Sequence, residues 1–325
     1  MAALKAPFPW FGGKRKVAPL VWEALGDVDN YVEPFAGSLA VLLGRPEGFD
    51  RWQTGAETVN DMDCYLVNFW RALSADPEAV AHYADWPVTE TDLTARHYWL
   101  VTKGHERIAK IEADPDFYDA KVAGWWVWGI SSWIGGHWCD GKGPWVVENG
   151  KFVKRTGSGG ISRRLPHLGD AGKGIKRQME SLTSYLGALA DRLRRVRVCQ
   201  GDWSRVVTTG ALDYGAKVGV FLDPPYLGGV RDENIYRNDD HHVSHAVRDW
   251  AIANGDNPRY RIVLAGYADE HAAHMPPDWT VHAYSAGSSY NTAKGGSANS
   301  VNRHKERLWF SPHCLREAMP PDLLS

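Results

Sequence analysis

The run Val218-Gly219-Val220-Phe221-Leu222 is apolar at every position and passes directly into Asp223-Pro224-Pro225-Tyr226. It reads as a buried strand that ends in a rigid corner, because each proline fixes φ and removes a backbone donor. Other strand signals lie on both sides of it. Asn30-Tyr31-Val32-Glu33 leads into Pro34-Phe35-Ala36-Gly37-Ser38, a tight turn, and Thr58-Val59-Asn60-Asp61 is a second short strand ending in an acid. Helical segments are expected from Lys16 to Leu25, from Ala40 to Leu43, and through Leu66, Phe69 and Leu73. Alternating strands and helices indicate a parallel, doubly wound α/β sheet.

The alternation stops near residue 75 and resumes at Val196-Arg197-Val198-Cys199-Gln200. It continues through Val218 to Leu222 and Arg261 to Ala265, and ends at Arg307 to Phe310. A main domain of residues 1–75 and 196–325 with a mostly helical insertion over 76–195 accounts for the gap. The 325 residues supply enough core for one large domain and a smaller module.

Within the insertion, residues 144–154 alternate around Asn149-Gly150, a strong hairpin signal. Residues 151–177 carry eight basic side chains, Lys151, Lys154, Arg155, Arg163, Arg164, Lys173, Lys176 and Arg177, against the single acid Asp170. The chain as a whole has a net charge of −2. The chain is therefore not a globally basic nucleic-acid coat, and contact with nucleic-acid phosphate is expected to be local, through this hairpin. A solvated basic loop is the competing reading. Six of the sixteen tryptophans fall between Trp125 and Trp145, as a dense core or a stacking surface.

The four cysteines, Cys64, Cys139, Cys199 and Cys314, form no CxxC pair, which suggests a reduced, cytoplasmic chain rather than a disulfide or zinc framework. No run approaches the length of a membrane span. Asp239-Asp240-His241-His242 with His245 is read either as a helix start or as a metal cluster, with the helix start preferred. Tyr236 is a candidate DNA contact or a buried tyrosine, and Ser285 to Arg303 has the composition of a surface loop.

The Asp-Pro-Pro-Tyr corner suits chemistry on an exocyclic base amine. Such an amine is a poor nucleophile because its lone pair is conjugated into the ring. A carboxylate (Asp223) and a backbone carbonyl (Pro224) that accept its two N–H groups favour a pyramidal nitrogen with an outward lone pair. Tyr226 offers a face for stacking an extruded base. Taken alone, the same residues also fit an ordinary turn. Gly37 and Ser38 permit close backbone approach by a nucleotide-containing cofactor, Asp61 is placed to accept ribose hydroxyls, and Asp202 with Trp203 is placed to meet an adenine ring. For any one of these acids a helix cap is the alternative.

Together these residues resemble the Dam-like (D12) family of DNA adenine-N6 methyltransferases, the alpha class of amino-methyltransferases. Trp10-Phe11-Gly12-Gly13-Lys14 is similar to the family's N-terminal cofactor motif, and Glu33-Pro34-Phe35-Ala36-Gly37-Ser38 to its glycine motif. Asp61 and Asp202 are similar to its cofactor acids, and Asp223-Pro224-Pro225-Tyr226 to its catalytic motif. The resemblance implies a Rossmann-like methyltransferase sheet with an inserted target-recognition domain. It also implies S-adenosyl-L-methionine as cofactor, held at Trp10, Lys14, Asp61 and Asp202, double-stranded DNA as partner, base flipping and no metal, in a protein expected to be monomeric. N4-cytosine methylation and a non-catalytic DNA-binding protein on the same fold remain the alternatives.

Two positions depart from the family pattern. Leu39 stands where a second glycine usually follows Gly-Ser, at a cost of about 1–2 kcal/mol if that backbone is left-handed. Pro9 stands where close Dam relatives often carry a lysine, so a GATC target does not follow.

Overall fold

The computed structural model describes residues 4–10, 13–111, 114, 116–134, 138–139, 145–148, 151–154, 160–161, 164–165, 169–170, 181–225, 240–284 and 306–315. The chain divides into two compact units, one of residues 11–60 and 202–325 and the other of residues 2–10 and 61–201.

The central sheet has seven strands. In chain order these are β1 (Asn30–Glu33), β2 (Ala56–Asp61), β5 (Val196–Gln200), β6 (Val218–Leu222), β7 (Tyr260–Tyr267), β8 (Thr280–Ala283) and β9 (Glu306–Phe310). A hairpin of β3 (Trp145–Glu148) and β4 (Lys151–Lys154) lies between β2 and β5 in sequence. The sheet order is β8-β9-β7-β6-β1-β2-β5. β1 runs parallel to both β6 and β2, with Val32 opposite Val220 and Thr58, and β6 runs parallel to β7. β9 is antiparallel to both β7 and β8. The fold is thus a mostly parallel, Rossmann-like α/β sheet.

Every residue of β1 and β6 is buried, as expected for central strands covered on both faces. Helix α1 (Ala18–Leu25) buries Val21, Trp22 and Leu25 completely. It stops at Gly26, whose φ of 66° lies in the left-handed region that ends helices cheaply. The Asp239-Asp240 segment was expected to open a helix, and α7 (Asp240–Gly255) does begin at Asp240; Asp239 lies outside the described residues.

One expectation differs from the structure, and one strand was not anticipated. Ala40 to Leu43 does not start an α-helix: only the 3₁₀ turn Leu42–Gly44 forms. Leu39 has a φ of 55° immediately before it and Pro46 lies shortly after it, which leaves no length for α-helical propagation. Strand β8 gave no signal in the sequence, being four residues long with a buried side chain only at His282.

The second unit is largely helical: α2 (Cys64–Ala75), α3 (Pro77–Ala84), α4 (Glu90–Trp99), α5 (Ala120–Ser132) and α6 (Leu182–Leu193). Asp63, Asp76, Thr89, Asp119 and Ser181 cap the N-termini of these five helices in turn, each accepting a backbone N–H with its side chain. The hairpin pairs Trp145 with Lys154 and Glu148 with Lys151. The tryptophan cluster divides: Trp126, Trp128 and Trp138 are buried, whereas Trp125 is half-buried.

Candidate active site

Because β1, β2 and β6 are parallel, their carboxyl ends share one edge of the sheet. Asp223 and Pro224 follow β6 there, and Pro34 to Ser38 follow β1. The glycine turn is tied to β2 by two hydrogen bonds: Ala36 N–H donates to the Asn60 carbonyl at 2.9 Å, and Asn60 Nδ2 donates to the Pro34 carbonyl at 3.1 Å. Gly37 adopts a φ of 47° and Leu39 a φ of 55°. A side chain at Gly37 would sit in a conformation that L-residues avoid. Leu39 accepts that strain while its side chain is fully buried.

Lys14 opens a 3₁₀ turn, Lys14–Lys16, after Gly13. Its ammonium lies 3.0 Å from Asp223 Oδ1, with the two side chains 7 % and 18 % exposed. The resemblance assigned this lysine to the cofactor; the structure joins it to the carboxylate of the Asp-Pro-Pro corner. Beneath that corner, Glu33 is buried and accepts a hydrogen bond from the Tyr31 hydroxyl at 2.9 Å. Burial raises the Glu33 carboxyl from 4.5 to about 8; the Tyr31 hydrogen bond opposes the shift, and the negative charge of Asp223 adds to it. Tyr31 is itself pushed well above its ordinary value, chiefly by burial and then by Glu33.

A buried cation completes the support. Arg45 pairs with Asp27 at 2.7 Å and Glu57 at 3.1 Å, and its guanidinium stands 4.8 Å from the ring centroid of Trp22. Sequence reading missed Tyr31, Arg45 and Glu57 in this role. The available signal was a charged residue, Glu57, inside a strand whose neighbours are buried.

Phe35 and Trp203 stack with ring centroids 6.3 Å apart and an interplanar angle of 27°. Asp202 caps the 3₁₀ turn Trp203–Val206, accepting the Ser204 N–H at 2.9 Å. The capping alternative noted from the sequence is therefore present at this acid. In the second unit, Trp10 packs on Phe8 at 5.9 Å and on Trp126 at 6.3 Å. Asp61 there accepts the Asp63 N–H at 3.0 Å. Phe11, Gly12, Tyr226, Tyr236, Arg155, Arg163, Lys173, Lys176, Arg177 and the segment Ser285 to Arg303 lie outside the described residues. Lys151, Lys154 and Arg164 are described as strand backbone only.

A mostly parallel seven-stranded sheet with a glycine turn after one central strand and an Asp-Pro-Pro corner after its neighbour is consistent with a Rossmann-like methyltransferase fold. Residues 10–119 match the D12 class N6 adenine-specific DNA methyltransferase family. That span includes the Trp10 to Lys14 loop, the glycine motif and Asp61; over it the chain is similar to the D12 class, and the match supports DNA methyltransferase activity. Asp202 and the Asp223 corner lie beyond the matched span and stand on their own geometry. No curated protein matches the chain.

Proposed function

We propose that the protein transfers a methyl group from S-adenosyl-L-methionine to the N6 amino group of adenine in double-stranded DNA, acting on a base flipped out of the duplex. The observation that carries this reading is the Asp223 carboxylate at the carboxyl end of β6, beside the glycine turn of β1, in a chain that matches the D12 class.

The residues present fit the cofactor. Gly37 in the left-handed region keeps the turn open to backbone approach. The Phe35 and Trp203 rings supply an aromatic wall for an adenine. Residues that would hold the cofactor are Trp10, Phe11, Gly12, Gly13, Lys14, Glu33, Pro34, Phe35, Gly37, Ser38, Asp61, Asp202 and Trp203. When bound, the cofactor supplies an electrophilic methyl group on its sulfonium.

The chain's own contribution is alignment. Asp223 accepts one N–H of the target amine and the Pro224 carbonyl accepts the other, which frees the nitrogen lone pair for in-line attack. Pro224 and Pro225 keep these acceptors fixed, and Tyr226 stacks on the extruded base. Lys14 holds the carboxylate of Asp223 and offsets its charge beside buried Glu33. The inserted segment 76–195 brings the DNA, with Lys151, Lys154, Arg155, Arg163, Arg164, Lys173, Lys176 and Arg177 as phosphate contacts.

Replacing Asp223 with alanine tests the alignment. Methyl incorporation into DNA from labelled cofactor is expected to fall by about 10²-fold or more, with cofactor binding largely retained. Unchanged incorporation in that variant contradicts the mechanism.

A further inference from the structure

In the second unit, cations and indoles alternate along α4, α5 and the segment that precedes α4. The Arg96 guanidinium lies 5.0 Å from the Trp86 ring centroid, 5.1 Å from that of Trp125 and 4.4 Å from that of Trp128. Lys121 Nζ sits 4.3 Å from the Trp125 ring centroid and 4.6 Å from that of Trp99. Trp99 and Trp125 meet edge to face at 5.0 Å, and the Arg107 guanidinium lies 5.9 Å from the Trp99 ring centroid. The series is partly open to solvent: Trp86 is 46 % exposed, while Trp99, Trp125 and Lys121 are half-buried.

The charge balance of this surface is unusual. Buried cations are ordinarily matched by carboxylates. Among the described residues, no carboxylate forms an ion pair with Lys121 or Arg96. The acid nearest in sequence to Arg96, Asp92, acts on it only through longer-range attraction and accepts hydrogen bonds from the Trp86 indole N–H at 2.9 Å and the Thr89 hydroxyl at 2.6 Å. Asp119 is committed to Arg107 and to the cap of α5. Arg96 is only 8 % exposed, and its Nη1 has no hydrogen-bond partner among the described residues. Aromatic faces hold both cations in place without a direct ion pair to any described carboxylate. The surface therefore carries fixed positive charge, with lysine donors available beside exposed ring area.

We propose that this ladder is a DNA-contacting surface in which Lys121 takes a backbone phosphate, Arg96 adds a fixed positive charge, and the exposed indole of Trp86 packs against the strand. Phosphate neutralisation combined with aromatic area is the general chemistry of nucleic-acid contact. The proposal rests on DNA being the substrate, and it lies outside the basic hairpin that the sequence singles out.

The test is fluorescence anisotropy with a labelled DNA duplex over a series of salt concentrations, on the full chain. Lys121→Gln is expected to lower affinity about eightfold at 0.1 M salt and to reduce the salt slope by about 1, the effect of one lost phosphate contact. Lys121→Arg, which keeps the charge and the stacking, is expected to restore both. Wild-type binding with an unchanged slope and affinity in Lys121→Gln overturns the ladder and leaves the DNA-substrate reading intact. Absence of binding by the wild type overturns the DNA reading on which the ladder rests.

Discussion

Lys14 Nζ and Asp223 Oδ1 lie 3.0 Å apart, joining the N-terminal glycine loop to the corner after β6 across 209 residues of sequence. The pair explains how a carboxylate is kept in place beside a second buried acid. Glu33, raised to about 8, keeps its proton near neutral pH beside the Asp223 charge, and Lys14 supplies the cation that matches that charge.

Removing one partner of a largely buried ion pair leaves the other charge unmatched, at a cost of about 3–5 kcal/mol when burial is complete. Asp223 keeps some exposure, so Lys14→Met is expected to lose roughly 3 kcal/mol, the lower end of that range. The double variant with Asp223→Asn is expected to recover much of the loss, as read by urea denaturation. Additive losses in the double variant would show that the two side chains do not couple.

Leu39 sets two effects of known size against each other. Its left-handed backbone costs about 1–2 kcal/mol, whereas truncating a fully buried leucine costs about 2–5 kcal/mol. Burial wins, so Leu39→Gly is expected to be less stable than the wild type. Leu39→Ala loses the same packing and keeps the strain, and is expected to be less stable than the glycine variant by about 1 kcal/mol. Denaturant midpoints give the order directly; an alanine variant more stable than the glycine variant contradicts the left-handed assignment.

Glu33 makes stability pH-dependent with a definite sign. The folded protein holds this proton up to about pH 8, whereas the unfolded chain releases it near 4.5. Between those values the native state binds more protons, so stability falls as pH rises. Glu33→Gln is expected to flatten that part of the profile, making the variant's stability at pH 8.5, relative to pH 5, higher than the wild type's. Parallel wild-type and variant profiles from thermal melts would remove Glu33 as the cause.

The sheet was legible where its strands carry unbroken apolar runs or end in turn chemistry, as at Val218 to Leu222 and at Glu33 to Gly37. Strand β8 was not, because an edge strand of four residues with a single buried side chain has almost no period to detect. The short segment after Leu39 was overread as a helix, since its apolar residues fit helical spacing while the backbone before it is left-handed. At the site, residue types and their order in the sheet were readable one motif at a time. The Lys14 to Asp223 contact was not, because it depends on which strands become parallel neighbours. The cation ladder was visible only as tryptophan density; its alternation with Arg96 and Lys121 arises when α4 and α5 pack.

The central claim is that this corner methylates adenine at N6. Mass spectrometry of nucleosides from the DNA of cells expressing the protein tests it most directly, with cells expressing Asp223→Ala as the control. N6-methyladenine that appears with the wild type and disappears with the variant is the expected result. N4-methylcytosine in its place, or N6-methyladenine at equal levels in both cultures, would contradict the account.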